Sequence, residues 1–266
     1  RRQRQMCIRD RDYLIKVKGY SFLEAVETII GHTAIQAPVY EKPQSKEENK
    51  PLLLPEKCAS NRVITEYLFG RGIDFELINY CISNDLIFES LPYHNVVFVG
   101  YDEKKEPKYA AYRSTNKRRI MGDCSGSKKD YSFRLGKENL EEVHLFECAI
   151  DLLSYATLAK LNGQDWKEMS FVSLSGVYSP AKKIEDSKVP IALEKYLGSN
   201  PSVRKIRIHF DNDIAGRKAA QTLKTILPDK YEIVDEPPKA GKDFNDFLCM
   251  RMGIYNKKTH ERNEER

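Results

Sequence analysis

The sequence predicts an α/β fold, a mostly parallel sheet flanked by helices, preceded by a smaller α+β lobe of basic character. Three observations carry that prediction. From residue 138 onward, short alternating apolar runs and helix-period runs follow one another strictly, which implies parallel strands joined by crossover helices. Ahead of them, "NVVFVGYDEKKEPKYAAYRS" reads as apolar strand, charged turn and second strand, a hairpin. Residues 112–137 then carry eight Lys or Arg against Asp123 and Asp130, a net of +6 in a chain whose whole net charge is +5.

Taken in order, residues 1–11, "RRQRQMCIRDR", hold five Arg and one Asp. They resemble translated sequencing-adapter read-through and are set aside as a scar; if genuine, they read as a basic arm for nucleic acid. Residues 12–35 contain two short helices hinged at Gly19, with Ser21 and Glu24 forming a capping box on the second. Residues 36–55 turn to Pro, Lys, Glu and Gln, the composition of a linker. The basic lobe spans 56–137 and begins with a helical stretch, 60–83, broken by a turn at "RGID".

The α/β region spans 138–252. Strand Val143–Phe146 leads into a helix with Ala149, Leu152, Leu153 and Ala156 on one face, stopped at Asn162-Gly163. Strand Phe171–Ser175 ends at Gly176, and a short helix opens with Pro190 and closes at Gly198. Strand 203–210, helix 214–227, strand Tyr231–Asp235 and a helix near 244–251 complete the pattern. The tail, 253–266, is charged and reads as disordered.

Composition narrows the class. Charged residues make up 31% and hydrophobic ones 41%, and no run approaches the roughly 18 apolar residues of a membrane span. The N-terminus lacks the apolar segment of a signal peptide. Six scattered cysteines form no CxxC pair, which argues for reduced thiols in a cytoplasm, without a disulfide framework and without a zinc site in this chain.

The chemistry centres on "HFDNDIAGRKAA", residues 209–220. Asp211 and Asp213 sit on a strand-to-helix turn. An N-cap role explains one aspartate and leaves the other idle. Ligands of open α/β sheets bind at the carboxyl ends of strands. Glu147, immediately after Val143–Phe146 in "LFECAIDLLSY", lies at another such end. Three carboxylates converging there repel one another unless a cation sits among them, and all-oxygen ligands favour Mg²⁺ or Mn²⁺. Such a metal suits phosphoryl or nucleotidyl transfer. Asp151, one turn into the next helix, is either a supporting ligand or a first-turn charge complementing the helix dipole.

"E-x-x-x-D-x-L" after one strand and "D-x-D-x-A-G" after a later one resemble the Toprim family, whose fold is shared by bacterial primases, topoisomerases and some nucleases. The resemblance covers about residues 138–252. It implies that Glu147 is the general acid/base glutamate, that Asp211 and Asp213 are the metal-binding pair, and that Gly176 follows the second strand. "GKDFNDFL", residues 241–248, resembles the late acidic motif through Asp243 and Asp246. The family has Gly where this chain has Cys148, which puts the tight turn after Glu147 in question.

The hairpin resembles the one preceding Toprim in bacterial primases, and "YLIKVKGYSFLEAVETIIG" resembles the end of a primase zinc-binding domain. Residues 56–160 as a whole resemble uncharacterised proteins of bacterial mobile elements. Together these imply a truncated primase-like protein of a plasmid or mobile element. Its partners would be single-stranded DNA, nucleoside triphosphates and a helicase or relaxase of the same element, with no membrane.

In the basic segment, Arg113, Lys117, Arg118, Arg119, Lys128 and Lys129 are the expected backbone-phosphate contacts; the alternative is a solvated basic face. Tyr112 and Tyr131 either stack on bases or pack half-buried. "GDCSGSKK" is not a P-loop, since its glycine spacing is wrong and no Ser or Thr follows the lysine. The five histidines are spread too widely for a site. Three functions stay open: a primase-type nucleotidyltransferase, a nuclease using the same carboxylates, and a non-catalytic DNA-binding accessory. An Asp-x-Asp phosphatase fits less well, because no Thr follows and the motif lies on a late strand.

Overall fold

The computed structural model describes residues 50–254, apart from 117, 177, 179, 182 and the side chain of 185. The 1–11 segment set aside as a scar, the two helices expected within 12–35, Lys117, most of the linker and most of the tail lie outside the described residues. Among the described residues, the first helices are α1 (Arg62–Phe69) and α2 (Phe75–Ser83). They are separated by the turn read at "RGID", and Asp74 caps α2 by accepting from the Leu77 N–H.

Two sheets follow. The smaller is an antiparallel meander of β1 (Ile87–Glu89), β2 (Val96–Tyr101), β3 (Pro107–Arg113) and β4 (Met121–Asp123), in that order. The β2–β3 pair is the expected hairpin. β1 and β4 carry too few residues for their pattern to stand out. The larger sheet comprises β5 (Arg134–Gly136), β6 (Glu142–Phe146), β7 (Ser170–Ser173), β8 (Lys205–His209) and β9 (Glu232–Asp235), ordered β5-β7-β6-β8-β9. β5 pairs antiparallel with β7 while the other pairs are parallel. An antiparallel edge strand on a parallel sheet is thus recruited from residues just ahead of the alternating region.

Helices α3 (Ala149–Leu161) and α6 (Phe244–Arg251) cover one face of the larger sheet, and α4 (Ile191–Ser199) and α5 (Ile214–Ile226) cover the other. Alternation along the central strand explains the two layers. Val143 and Leu145 enter the cluster with Leu193, Ala219 and Leu223, while Phe146 enters the cluster with Leu152 and Phe244. That second cluster also takes in Ile64, Leu68, Leu77 and Ile78 of α1 and α2, so the lobe and the larger sheet share a core. α3 therefore differs from the one-faced helix its pattern suggests. Ile150, Leu158 and Ala159 are buried along with the expected face, because neighbours enclose it on several sides.

β7 stops at Ser173, two residues before the end its pattern predicts. Ser175 (φ 60°) and Gly176 (φ 128°) leave extended geometry, and a side chain at the latter would be strained. His144 and His209 form a stacked buried pair, Nδ1 of one 2.9 Å from Nε2 of the other, closed by Glu142 and the Glu236 carbonyl. Burial pushes both imidazoles toward the neutral form, His144 to about 4. They are satisfied core groups.

Candidate metal-binding acidic edge

The crossover from β7 to β8 passes over β6, so the strand order reverses between β6 and β8. At that switch point the carboxyl ends of two neighbouring strands open a crevice. Glu147 lies just past β6, and Asp211 lies two residues past the end of β8. Their meeting is direct: the Asp211 N–H donates to Glu147 Oε1 at 3.1 Å. Burial, then the nearby Asp211 charge, pushes the Glu147 carboxyl up to about 7.

The two aspartates divide their tasks. Asp213 caps α5, its Oδ1 accepting from the Gly216 N–H at 2.9 Å, which holds its carboxyl below the usual range. Asp211 is pushed up by burial, against the pull of Lys242. The N-cap reading thus accounts for Asp213 alone.

Lys242 and Gly216 were not singled out by sequence reasoning. Lys242 Nζ stands 3.2 Å from Asp211 Oδ2 and 3.2 Å from Asp213 Oδ2. The loop before α6 puts it there, folding back so that the Asn212 N–H donates to the Lys242 carbonyl at 2.7 Å. Gly216 allows the closest approach of the site: a Cβ there would lie 2.2 Å from the Asp211 carbonyl oxygen and 2.9 Å from Glu147 Oε1. Its place in "DNDIAG" was the available signal. The Gly176 N–H donates to the Glu147 carbonyl at 3.0 Å, tying the β7 loop to the same corner.

Asp151 is buried behind this edge. Its Oδ2 accepts from Cys148 Sγ at 2.9 Å and its Oδ1 from the Asn245 N–H at 3.3 Å. Burial and the charge of Asp243 push it up to about 7. It joins α3 to α6 rather than serving only as a solvent-facing dipole charge. Asp243 caps α6 through the Asp246 N–H at 2.7 Å, and Asp246 Oδ2 accepts from the Lys242 N–H at 3.3 Å. Cys148 has extended backbone (φ −140°, ψ 163°), so no glycine is demanded at that position.

The basic residues separate into two sets. Arg113 Nε donates to Tyr67 Oη at 3.0 Å, and Arg71 lies over the Tyr67 ring. Arg71 also donates to Asn245 Oδ1 at 2.7 Å, linking the lobe to α6 beside the acidic edge. Arg118, Arg119 and Lys128 are exposed on the surface. Lys129 pairs with Asp123 at 3.1 Å and reaches the Ser175 carbonyl at 3.4 Å, so the basic segment adjoins the β7 loop. Tyr131 is covered by Lys195 Nζ, 5.1 Å from its ring centre.

Glu147, Asp211 and Asp213 present oxygen donors only, and an ammonium already sits between two of them. That donor set fits a hard divalent cation.

The family described as "Toprim-like" matches residues 144–248, and the family described as "Protein of unknown function (DUF3991)" matches residues 66–139. No curated protein matches the chain. Among solved structures, the chain is similar to the primase fragment of the bacteriophage T7 primase-helicase protein, at 18% identity and TM-score 0.47, over 70% of this chain and 69% of that one. The E. coli primase catalytic core is similar at 12% identity and TM-score 0.46, over 77% and 72%. The zinc-binding and RNA polymerase domains of Aquifex aeolicus primase are similar at 15% identity and TM-score 0.43, over 92% and 67%. The chain carries a Toprim-like domain over residues 144–248, preceded over residues 66–139 by a DUF3991 domain.

Proposed function

We infer that this chain is a primase-type nucleotidyltransferase that builds short oligonucleotides on single-stranded DNA during replication of a plasmid or mobile element. The observation that carries the reading is the meeting of Glu147 with Asp211 and Asp213 at the switch point of a Toprim-like sheet. Asp211 and Asp213 would hold Mg²⁺ or Mn²⁺, with Glu147 beside them and Asp151 supporting from behind. Bound there, the cation supplies charge neutralisation to a triphosphate.

Glu147, beside the two aspartates, is placed to act as the general base. Oε1 accepts the Asp211 N–H, so Oε2 is the oxygen that would receive the proton of an incoming 3′-hydroxyl. The exposed Arg118, Arg119 and Lys128, with Lys129 reaching the loop after β7, form a surface on which template phosphates would lie. A helicase or relaxase of the same element is the fitting protein partner. The extended backbone at Cys148 is compatible with the turn after Glu147, which supports the catalytic reading over the accessory one.

The test supplies single-stranded template, nucleoside triphosphates and Mn²⁺ to the full chain. Short oligonucleotides are expected, and Glu147→Gln should slow their formation by about 10²–10⁴-fold. Cleaved template without oligonucleotides would move the assignment to nuclease. Neither product, from a chain that still binds DNA, would return it to the accessory reading.

A further inference from the structure

A second set of metal-ligating side chains lies in the smaller lobe, away from the acidic edge. Cys58, Glu89 and His94 each offer one donor atom, and these atoms all lie within 4.8 Å of one another. Three separate pieces of chain bring them together. Glu89 ends β1, His94 sits on the loop that follows, and Cys58 belongs to a strand-like segment bridged to it through Lys57 and Ser90. The Cys58 N–H donates to the Glu89 carbonyl at 2.8 Å.

Glu89 is held in a position suited to ligation. Its residue is 1% exposed, and Oε2 accepts the Val63 and Ile64 N–H groups at 2.9 and 3.2 Å in the first turn of α1. Those two N–H groups fix the position of Oε2. Oε1 is left to face His94, whose Nδ1 lies 2.5 Å away. His94 is itself fixed in left-handed backbone (φ 52°) by its N–H on the Ser90 carbonyl at 2.8 Å and by Thr115 on its own carbonyl at 3.0 Å.

A Glu–His hydrogen bond accounts for two of these groups and leaves the Cys58 thiol beside them unexplained. Thiolate, imidazole and carboxylate together form the donor set of zinc. Zinc bonds of about 2.0–2.3 Å put tetrahedral ligand atoms about 3.5 Å apart, so the side chains need shift by only about an ångström from the present cluster. We propose that Cys58, Glu89 and His94 form a zinc site that clips the segment entering the lobe to β1 and to the start of α1. The cysteine spacing, which argues against zinc, is blind to ligands gathered from a bridge, a strand end and a loop. This site does not depend on the nucleotidyltransferase reading.

The test strips the full chain with chelator and titrates it with Co²⁺, whose thiolate bond gives a near-ultraviolet charge-transfer band. One equivalent should raise that band together with the strong visible absorption of four-coordinate cobalt, and Zn²⁺ should bleach both. Cys58→Ser should abolish the charge-transfer band, and His94→Gln should weaken Co²⁺ binding by about tenfold or more. The Asp211→Asn, Asp213→Asn double variant should keep the band, since oxygen ligands at the acidic edge give none. Zn²⁺ should also raise the melting temperature of the parent chain and not of Cys58→Ser. No thiolate band in the parent chain, or a band that survives Cys58→Ser, overturns the proposal and leaves a Glu89–His94 hydrogen bond.

Discussion

Lys242 Nζ stands 3.2 Å from a carboxylate oxygen of Asp211 and 3.2 Å from one of Asp213, so the acidic edge already holds a cation of its own. The ammonium neutralises part of a charge cluster that burial makes costly, and the two aspartates push its own titration upward in return.

A divalent cation entering between these aspartates must move Lys242 aside. Lys242→Met should therefore tighten Mn²⁺ binding, by several-fold to about tenfold, because two half-exposed ion pairs no longer compete. Calorimetric titration measures this. Asp211→Asn with Asp213→Asn should abolish the binding that Lys242→Met strengthens. Equal affinity in Lys242→Met and parent would mean that the metal does not enter between the two.

Glu147 makes the metal-free fold sensitive to pH. Its folded titration at about 7 lies above the ordinary carboxylate range, so the native state holds the proton more tightly than the unfolded chain does. The associated stability is fully present below the unfolded value and is lost as pH rises through about 7, amounting to about 3 kcal/mol at most. Glu147→Gln cannot lose that proton. The melting temperatures of metal-free parent and Glu147→Gln should diverge from pH 5 to pH 8, with the variant the more stable at the upper end. Parallel curves would place the titration elsewhere.

Much of this edge was legible because its residues report local structure. Alternation in Val143–Phe146 and Ile206–Phe210 marks strands, and a carboxylate just past a strand end must lie on the ligand-binding side of a parallel sheet. The Asp211–Asp213 spacing likewise signals a helix start. Lys242 was legible only as a member of "GKDFNDFL", since its task depends on a loop folding back to Asn212. The Arg71–Asn245 link joins residues 174 positions apart and leaves no local pattern. β5 was hidden for a similar reason: three residues ending in a glycine become a strand only because β7 offers them an edge.

Two glycines in helices should respond oppositely to alanine. At Gly216 a Cβ would lie 2.2 Å from the Asp211 carbonyl oxygen, a backbone atom that cannot yield without moving the metal edge. The roughly 1 kcal/mol that alanine offers a helix does not offset such a clash. Gly216→Ala should lower the melting temperature and weaken Mn²⁺ binding together. Gly198, inside α4, meets nothing within 4 Å, so Gly198→Ala should stabilise by about 0.4–1 kcal/mol. Thermal denaturation of both variants reads the contrast, and a stabilised Gly216→Ala would contradict the close packing of Glu147, Asp211 and α5.

The basic segment offers a last prediction, shaped by how its charges are placed. Arg113 is engaged with Tyr67 and Lys129 with Asp123, whereas Arg118, Arg119 and Lys128 are exposed. A phosphate backbone bound there releases counterions in proportion to the charges that meet it, at about 0.7 per contact for a single strand. Neutralising Arg118, Arg119 and Lys128 together should flatten the slope of log K against log salt by about two units. Arg113→Gln should instead change the slope little and loosen the Tyr67–Arg71 contact beside the acidic edge, lowering stability through packing. Fluorescence anisotropy with a labelled single strand, repeated across salt concentrations, separates the two effects. A triple variant whose slope matches the parent would assign these charges to a solvated face, and the template would then have to lie elsewhere on the lobe.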